Sequence, residues 1–175
     1  MEHEQLVEEI RIATREVFET MLSLPLAEGE PSIEPNGPAP CDGVVALIGM
    51  TGAWTGTGII SCPAVLACKF AGQFLMGAYD SVSDDVLDAV GELTNMIIGG
   101  IKTRMEEKLG PMALSVPTVI YGRNFTTRSL ARHRWTVVRF DCEGNHLCVQ
   151  LCVTQAAAGS SPRIPVGVAL HESGR

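Results

Sequence analysis

Apolar residues recur along this chain with periods that switch several times between helix and strand. Leu6, Ile10, Ala13, Val17, Met21 and Leu24 lie on one helical stripe, which predicts a first helix over 3–24 closed by Pro25. Val44 to Met50 is a nearly continuous apolar run suited to a buried strand. Thr51-Gly-Ala-Trp-Thr-Gly56 turns that run into a second strand over 57–62. Pro63 suits the first position of a further helix and Gly77 its end. That helix is apolar nearly all round, so it is either buried or at an interface. Val86, Val90, Leu93, Ile97, Ile101, Met105 and Leu109 then follow at steps of three or four. They predict a long helix over 83–109, with Ser81 and Asp84 spaced as a capping box and Gly110-Pro111 as the stop. Strands are expected at 113–121, 134–141 and 146–154, the last two joined as a hairpin across Glu143-Gly-Asn145. Helices alternating with hairpins predict an α+β fold, a mostly antiparallel sheet with long helices packed on it.

The proline-rich segment 25–42 reads as an extended loop without ladder hydrogen bonds. Residues 156–175, rich in Ala, Gly, Ser and Pro, read as a loosely ordered C-terminal tail. The expectation is one domain over 1–155. With 46% hydrophobic and 19% charged residues the chain can bury a core and is not globally disordered. No apolar run approaches the roughly 20 residues that span a bilayer, and the acidic start has no secretory pattern. No membrane association and a cytoplasmic location are therefore expected.

The formal net charge of −7 hides an asymmetry. Residues 1–100 carry 15 acids and 3 bases, and residues 101–175 carry 5 acids and 10 bases. Arg123, Arg128, Arg132, Arg134 and Arg139 could suggest a nucleic-acid face. Few aromatic residues accompany them, so strand-edge or hairpin arginines in a solvated sheet are the expectation, with no nucleic acid as partner. Cys142, His146, Cys148 and Cys152 form the one cluster of metal-ligand types. A structural zinc prefers tighter spacing at turns. Together with Cys41, Cys62 and Cys68, these cysteines read as free buried thiols.

The chemistry concentrates on the long helix. Opposite its apolar stripe lie Asp85, Asp88, Glu92, Asn95 and Gly99. Residues three apart are neighbours on a helix surface, so Glu92 and Asn95 put a carboxylate and a carboxamide side by side. Asn95 is a poor interior helix former, and Gly99 and Gly100 each cost about 1 kcal/mol relative to alanine. Gly99 keeps the polar surface low where a partner could approach, and Gly100 lies nearer the core, where another element could pack closely. Acid–amide pairs are common on solvated helices, so the spacing alone assigns no role.

The wider arrangement is more specific. Asp88-x-x-x-Glu92-x-x-Asn95, with Pro117 twenty-two positions after the asparagine, resembles the CheC/CheX chemotaxis phosphatase family. Val90-Gly-Glu-Leu-Thr-Asn-Met96, Glu107-Lys-Leu-Gly110 and Pro117-Thr-Val-Ile-Tyr-Gly-Arg123 are similar to its CheX branch, as are Ile48 to Gly56 and Val17 to Met21. The resemblance spans roughly residues 5–154. The CheC branch carries a second Glu-x-x-Asn on its first helix, whereas this chain has Glu16-Val-Phe-Glu19 there. The related middle domain of the flagellar switch proteins lacks the motif altogether.

The resemblance implies a pseudo-repeated α+β fold and a homodimer built by extending the sheet. It also implies hydrolysis of the aspartyl phosphate on a CheY-like receiver domain. Asn95 would orient the attacking water, and Glu92 would ion-pair with the receiver's lysine. Glu92 as a general base is the weaker alternative. Asp88 and Gly99 would border the partner, and Pro117 would shape a strand or bend. The chain would carry no cofactor of its own, the Mg²⁺ being the receiver's. A non-catalytic adaptor of the same fold, binding a receiver or a flagellar switch component, is the alternative.

Overall fold

A computed structural model describes residues 2–35, 41–125 and 134–156. The described elements are α1 (His3–Val17), β1 (Ala27–Glu28), β2 (Ser32–Glu34), β3 (Cys41–Gly52), β4 (Trp54–Cys62), α2 (Ala64–Leu75), α3 (Asp84–Leu109), β5 (Met112–Leu114), β6 (Thr118–Phe125), β7 (Trp135–Cys142) and β8 (Asn145–Gln155). The strands form one sheet in the order β1-β7-β8-β4-β3-β5, with β2 also on β7 and β6 also on β3. Every pairing is antiparallel. This is the expected α+β class. Two units share the sheet: α1 is followed by β1–β4, and α3 by β5–β8.

Period-two alternation divides the strand residues between two faces. Val44, Ala46, Ile48, Met50, Val138, Phe140, Val149 and Leu151 join the main core with the helices. Val45, Ile59, Trp135, Val137 and Cys152 form a second buried cluster. Burial on both faces explains why β3 reads as an unbroken apolar run. The β7–β8 hairpin turns on Glu143 (φ 52°) and Gly144 (φ 78°). Two central residues with positive φ suit the twist of a two-residue hairpin.

The structure corrects several sequence readings. The segment expected as an unpaired loop over 25–42 contributes β1 and β2, both laddered to β7. Pro25, Pro31 and Pro35 fall outside the paired positions, so the edge keeps its donors. Residues 36–40 lie outside the described set. The first helix ends before residue 24. A π-helical turn over Phe18–Leu22 closes it, and Ser23 (φ 52°) reverses the backbone. The wide turn buries both Phe18 and Leu22, with Phe18 edge-on to Phe70 of α2 at 5.2 Å. The long helix starts one residue after its N-cap, Ser83, which makes no side-chain cap bond, so Ser81 and Asp84 do not form a capping box. Asp84 and Asp85 instead complement the helix dipole from the first turn. The strand expected over 113–121 is broken between β5 and β6. Of the proposed tail, Ala156 donates its N–H to the Ala53 carbonyl at 3.2 Å, and 157–175 lie outside the described residues.

α3 ends in a junction that β5 depends on. The Met112 N–H donates to the Glu106 carboxylate at 2.7 Å, and Lys102 pairs with the same carboxylate at 2.9 Å. The Met112 hydrogen bond, then Lys102, hold the Glu106 carboxyl below its ordinary value. A group depressed in the folded state stabilises above its unfolded pKa, about 4.3 for glutamate, and loses that contribution as pH falls through the lower folded value. Acidification should therefore release the Met112 amide only below the ordinary glutamate range. An NMR titration of that amide reads the outcome directly, and a midpoint at or above the ordinary glutamate value would contradict it.

Candidate functional site

α3 is 26 residues long, a rod of about 39 Å. It buries more than the predicted stripe: Ala89, Gly91, Thr94 and Ile98 are also inside. Neighbours on several sides account for this. Gly100 meets α1, where an added Cβ would lie 3.3 Å from that of Ala13, so the close packing expected at this glycine is present. An added Cβ on Gly91 would lie 3.3 Å from Val119 Cγ2 on β6. Ile98 fills the space above Gly58 of β4. Thr94, fully buried, satisfies its hydroxyl by donating to the Val90 carbonyl at 2.7 Å.

What remains outside is a narrow ridge. Asp85, Asp88 and Glu92 are exposed, and Asn95 and Gly99 are half-buried. This is the polar face expected from the sequence. Among the described residues neither Glu92 nor Asn95 has a side-chain hydrogen bond or ion-pair partner. At Gly99 an added Cβ would meet only Leu114 Cδ1, at 3.8 Å. That is ordinary contact distance, so this position holds the surface low without being tightly packed.

Charge is unevenly neutralised along the rod. In its C-terminal half Lys102 pairs with Glu106, Arg104 with Glu16 at 2.9 Å, and Lys108 with Glu9 at 3.1 Å. In its N-terminal half Asp84, Asp85, Asp88 and Glu92 have no ion pair among the described residues. The ridge therefore presents a net negative field that favours a basic partner surface.

The spacing of Pro117 has a geometric cause. From Asn95 the helix runs fourteen residues to Leu109, about 21 Å. The chain turns at Gly110 and Pro111 and returns five steps from Met112 to Pro117, about 17 Å. Gly99 faces Leu114 and Gly91 faces Val119, so residues 115–118 run alongside the part of α3 that carries Glu92 and Asn95. The sequence placed Pro117 at a strand or bend; the structure puts that bend at the level of the acid–amide pair. Ser115 and Val116, which share the bend, were not singled out by the sequence. The fixed spacing of Pro117 was the signal that could have found them.

A groove of ≈ 690 Å³ lies between α2 and the loop leading to α3, lined in part by Val65, Cys68, Lys69, Tyr79, Asp80 and Tyr121. It includes neither Glu92 nor Asn95. An exposed acid beside a half-buried amide, neither with a side-chain partner among the described residues, suits entry into another molecule's cavity better than enclosure of a small substrate.

Other candidates fall away on geometry. Cys68, Cys142 and Cys152 are buried free thiols, Cys62 is buried, and Cys148 is half-buried; the side chain of Cys41 is outside the described set. Burial pushes the Cys152 thiol up to about 11 and raises those of Cys148, Cys142 and Cys68. These four are therefore poor nucleophiles at neutral pH. His146 is 78% exposed in its side chain, with Nδ1 3.6 Å from Asp141. Among the described residues no three His, Cys, Asp or Glu side chains gather to hold a metal ion. Arg139 is tied to Glu34 at 2.6 Å and to Ser32; it lies on the β7–β8 hairpin, in a strand paired on both sides rather than at the sheet edge, while Arg128 and Arg132 lie outside the described residues. No described helix is long and apolar enough to cross a membrane.

Comparison with known proteins agrees with the fold. Residues 44–141 match the family described as "Chemotaxis phosphatase CheX". The chain is 30% identical over 117 residues to the CheY-P phosphatase CheX of Thermotoga maritima, covering 65% of this chain and 75% of that protein. The crystal structure of the chemotaxis protein CheX from Vibrio vulnificus is similar with a TM-score of 0.77 and 27% identity, over 86% of this chain and 99% of that one. The CheX of Borrelia burgdorferi, solved as a CheX–CheY–BeF₃–Mg²⁺ complex, shares the fold with a TM-score of 0.73 and 24% identity, over 85% of this chain and 97% of that one. The match covers more than half of this chain and most of the Thermotoga relative: the chain belongs to the CheX chemotaxis phosphatase family.

Proposed function

We propose that this protein accelerates hydrolysis of the aspartyl phosphate on a CheY-like receiver domain by inserting Glu92 and Asn95 into the receiver's active site. The observation that carries the reading is the pair itself: an acid and an amide on an exposed ridge of a clamped helix, with no side-chain partners among the described residues. The Thermotoga relative, named for action on phosphorylated CheY, supports the substrate class.

A receiver brings its own phosphoryl group, lysine and Mg²⁺, and the metal neutralises charge on the phosphoryl oxygens. The phosphatase supplies position. The Asn95 carboxamide accepts a hydrogen bond from the attacking water and donates another nearby, holding the water in line with the bond to be cleaved. A neutral amide suits this place, because a carboxylate would repel the phosphoryl oxygens. Glu92 ion-pairs with the receiver's lysine and fixes the depth of insertion. Asp88 and Gly99 border the contact, the first adding negative charge and the second leaving room. The chain needs no cofactor of its own. A homodimer formed by extending the sheet fits β6, which pairs with β3 and with no other described strand. The reading also places the protein in the cytoplasm, where receivers work.

The decisive test is phosphate decay on purified phosphorylated receivers with substoichiometric protein. Catalysis predicts an accelerated first-order loss with turnover. An adaptor of the same fold predicts phosphorylation-dependent binding with an unchanged half-life, and that outcome across the organism's stand-alone receivers would overturn the proposal.

A further inference from the structure

The strand returning beside α3 is interrupted at Ser115, Val116 and Pro117. Met50 pairs with Leu114, and Leu47 pairs with Thr118. Ile48 and Gly49 of β3 therefore face three residues of the returning strand. Three against two is a β-bulge, a device that re-aims side chains and is frequent beside active sites.

This bulge is fastened. The Gly49 N–H donates to Ser115 Oγ at 2.9 Å, and the Ser115 N–H donates to the Gly49 carbonyl at 2.9 Å. Ser115 Oγ in turn donates to the Val116 carbonyl at 3.1 Å. Pro117 follows, with no N–H to leave unpaired. The result is a valine that is 86% exposed on a tethered backbone. Single exposed apolar residues are ordinary on protein surfaces. Two features set this one apart: the preceding Ser115 is held to Gly49 through both its N–H and its Oγ, and the valine lies at the level of Asn95, between the Gly91–Val119 and Gly99–Leu114 contacts.

We propose that Val116 is an apolar docking contact for the phosphorylated receiver, buried against the rim of the receiver's active site when the α3 ridge enters it. The occupant rests on the function proposed above. Continuity argues for it, because a body that reaches Asn95 must pass alongside the bulge. A contact whose backbone is already fixed loses little entropy on binding. Val116 touches no reacting atom, so its contribution is to affinity and receiver choice rather than to the chemical step.

The test is the rate of receiver dephosphorylation as a function of receiver concentration, for the parent, Val116→Asp and Val116→Ile. Val116→Asp should raise the half-saturating concentration about tenfold, the scale for burying one valine, with the maximal rate within about twofold. Val116→Ile, which keeps an apolar contact, should shift the half-saturating concentration far less than Val116→Asp. At so exposed a position, thermal unfolding should move little. If the parent accelerates no receiver, the proposed function falls and this inference with it. If the parent is active and Val116→Asp keeps its half-saturating concentration, the docking contact alone is wrong. A lowered maximal rate at unchanged half-saturation, or a changed elution volume on size exclusion, would also overturn it. The last result would reassign Val116 to contact between copies of this chain.

Discussion

Asn95→Ala is expected to abolish stimulated loss of receiver phosphate while leaving the fold and receiver binding intact. Removing the water holder should cost about 100-fold or more in maximal rate, the scale on which misplacing a reacting group is felt. Asn95 is half-buried and its side chain makes no hydrogen bond among the described residues. Alanine is also the better helix former, by about 0.5 kcal/mol. The variant should therefore melt at or above the parent's temperature, which separates a catalytic loss from unfolding. Asn95→Asp should fail as well, because its added negative charge faces the phosphoryl oxygens. The half-saturating receiver concentration should stay within a few-fold for Asn95→Ala. Full activity in purified Asn95→Ala would remove the amide from the mechanism.

The second large effect concerns what holds that amide in place. Gly58 lies under α3 where an added Cβ would come 2.6 Å from Ile98 Cδ1 and 2.9 Å from Cγ1. Ile98 is fully buried and β-branched, with little room to change rotamer. Gly58→Ala should therefore destabilise by about 1–3 kcal/mol through overpacking, although glycine to alanine usually helps a strand. Ile98→Ala should cost about 2–5 kcal/mol through the cavity it leaves. Together the two changes should cost less than the sum, because the new methyl occupies part of the space the isoleucine vacates. Urea unfolding of all four proteins checks this through the midpoints, provided the slopes agree. Additive losses would mean that Gly58 and Ile98 do not share one packing constraint.

Much of this arrangement was legible from local pattern. The stripe from Val86 to Met105 defined α3 to within one residue at its start, and the acids and Asn95 between its turns marked the outward ridge. Gly100 was readable as a place of close approach because a glycine inside a helix asks for a reason. What escaped depends on partners distant in sequence. β1 and β2 exist only because β7 offers them an edge more than 100 residues away, which no window around Pro25 and Pro31 can report. The bulge at Ser115–Pro117 appears only when the residues of β3 opposite it are counted. Burial of Thr94 and Ile98 follows from helices and strands on more than one side of α3, whereas periodicity alone describes a helix lying on a single surface.

The out-and-back path from Asn95 to Pro117 makes this stretch the least forgiving place in the chain for a change of length. One added residue in β5 would slide the bulge by about 3.3 Å and exchange the sheet faces of everything after it. Valine and amide would then no longer stand at the same height. The hairpin tip at Gly144, where an added side chain would meet nothing within 4 Å, can absorb insertions with no effect on the ridge. Diversification by gain or loss of residues is therefore open to the tip of β7–β8, while the segment behind the acid–amide pair can change in composition only.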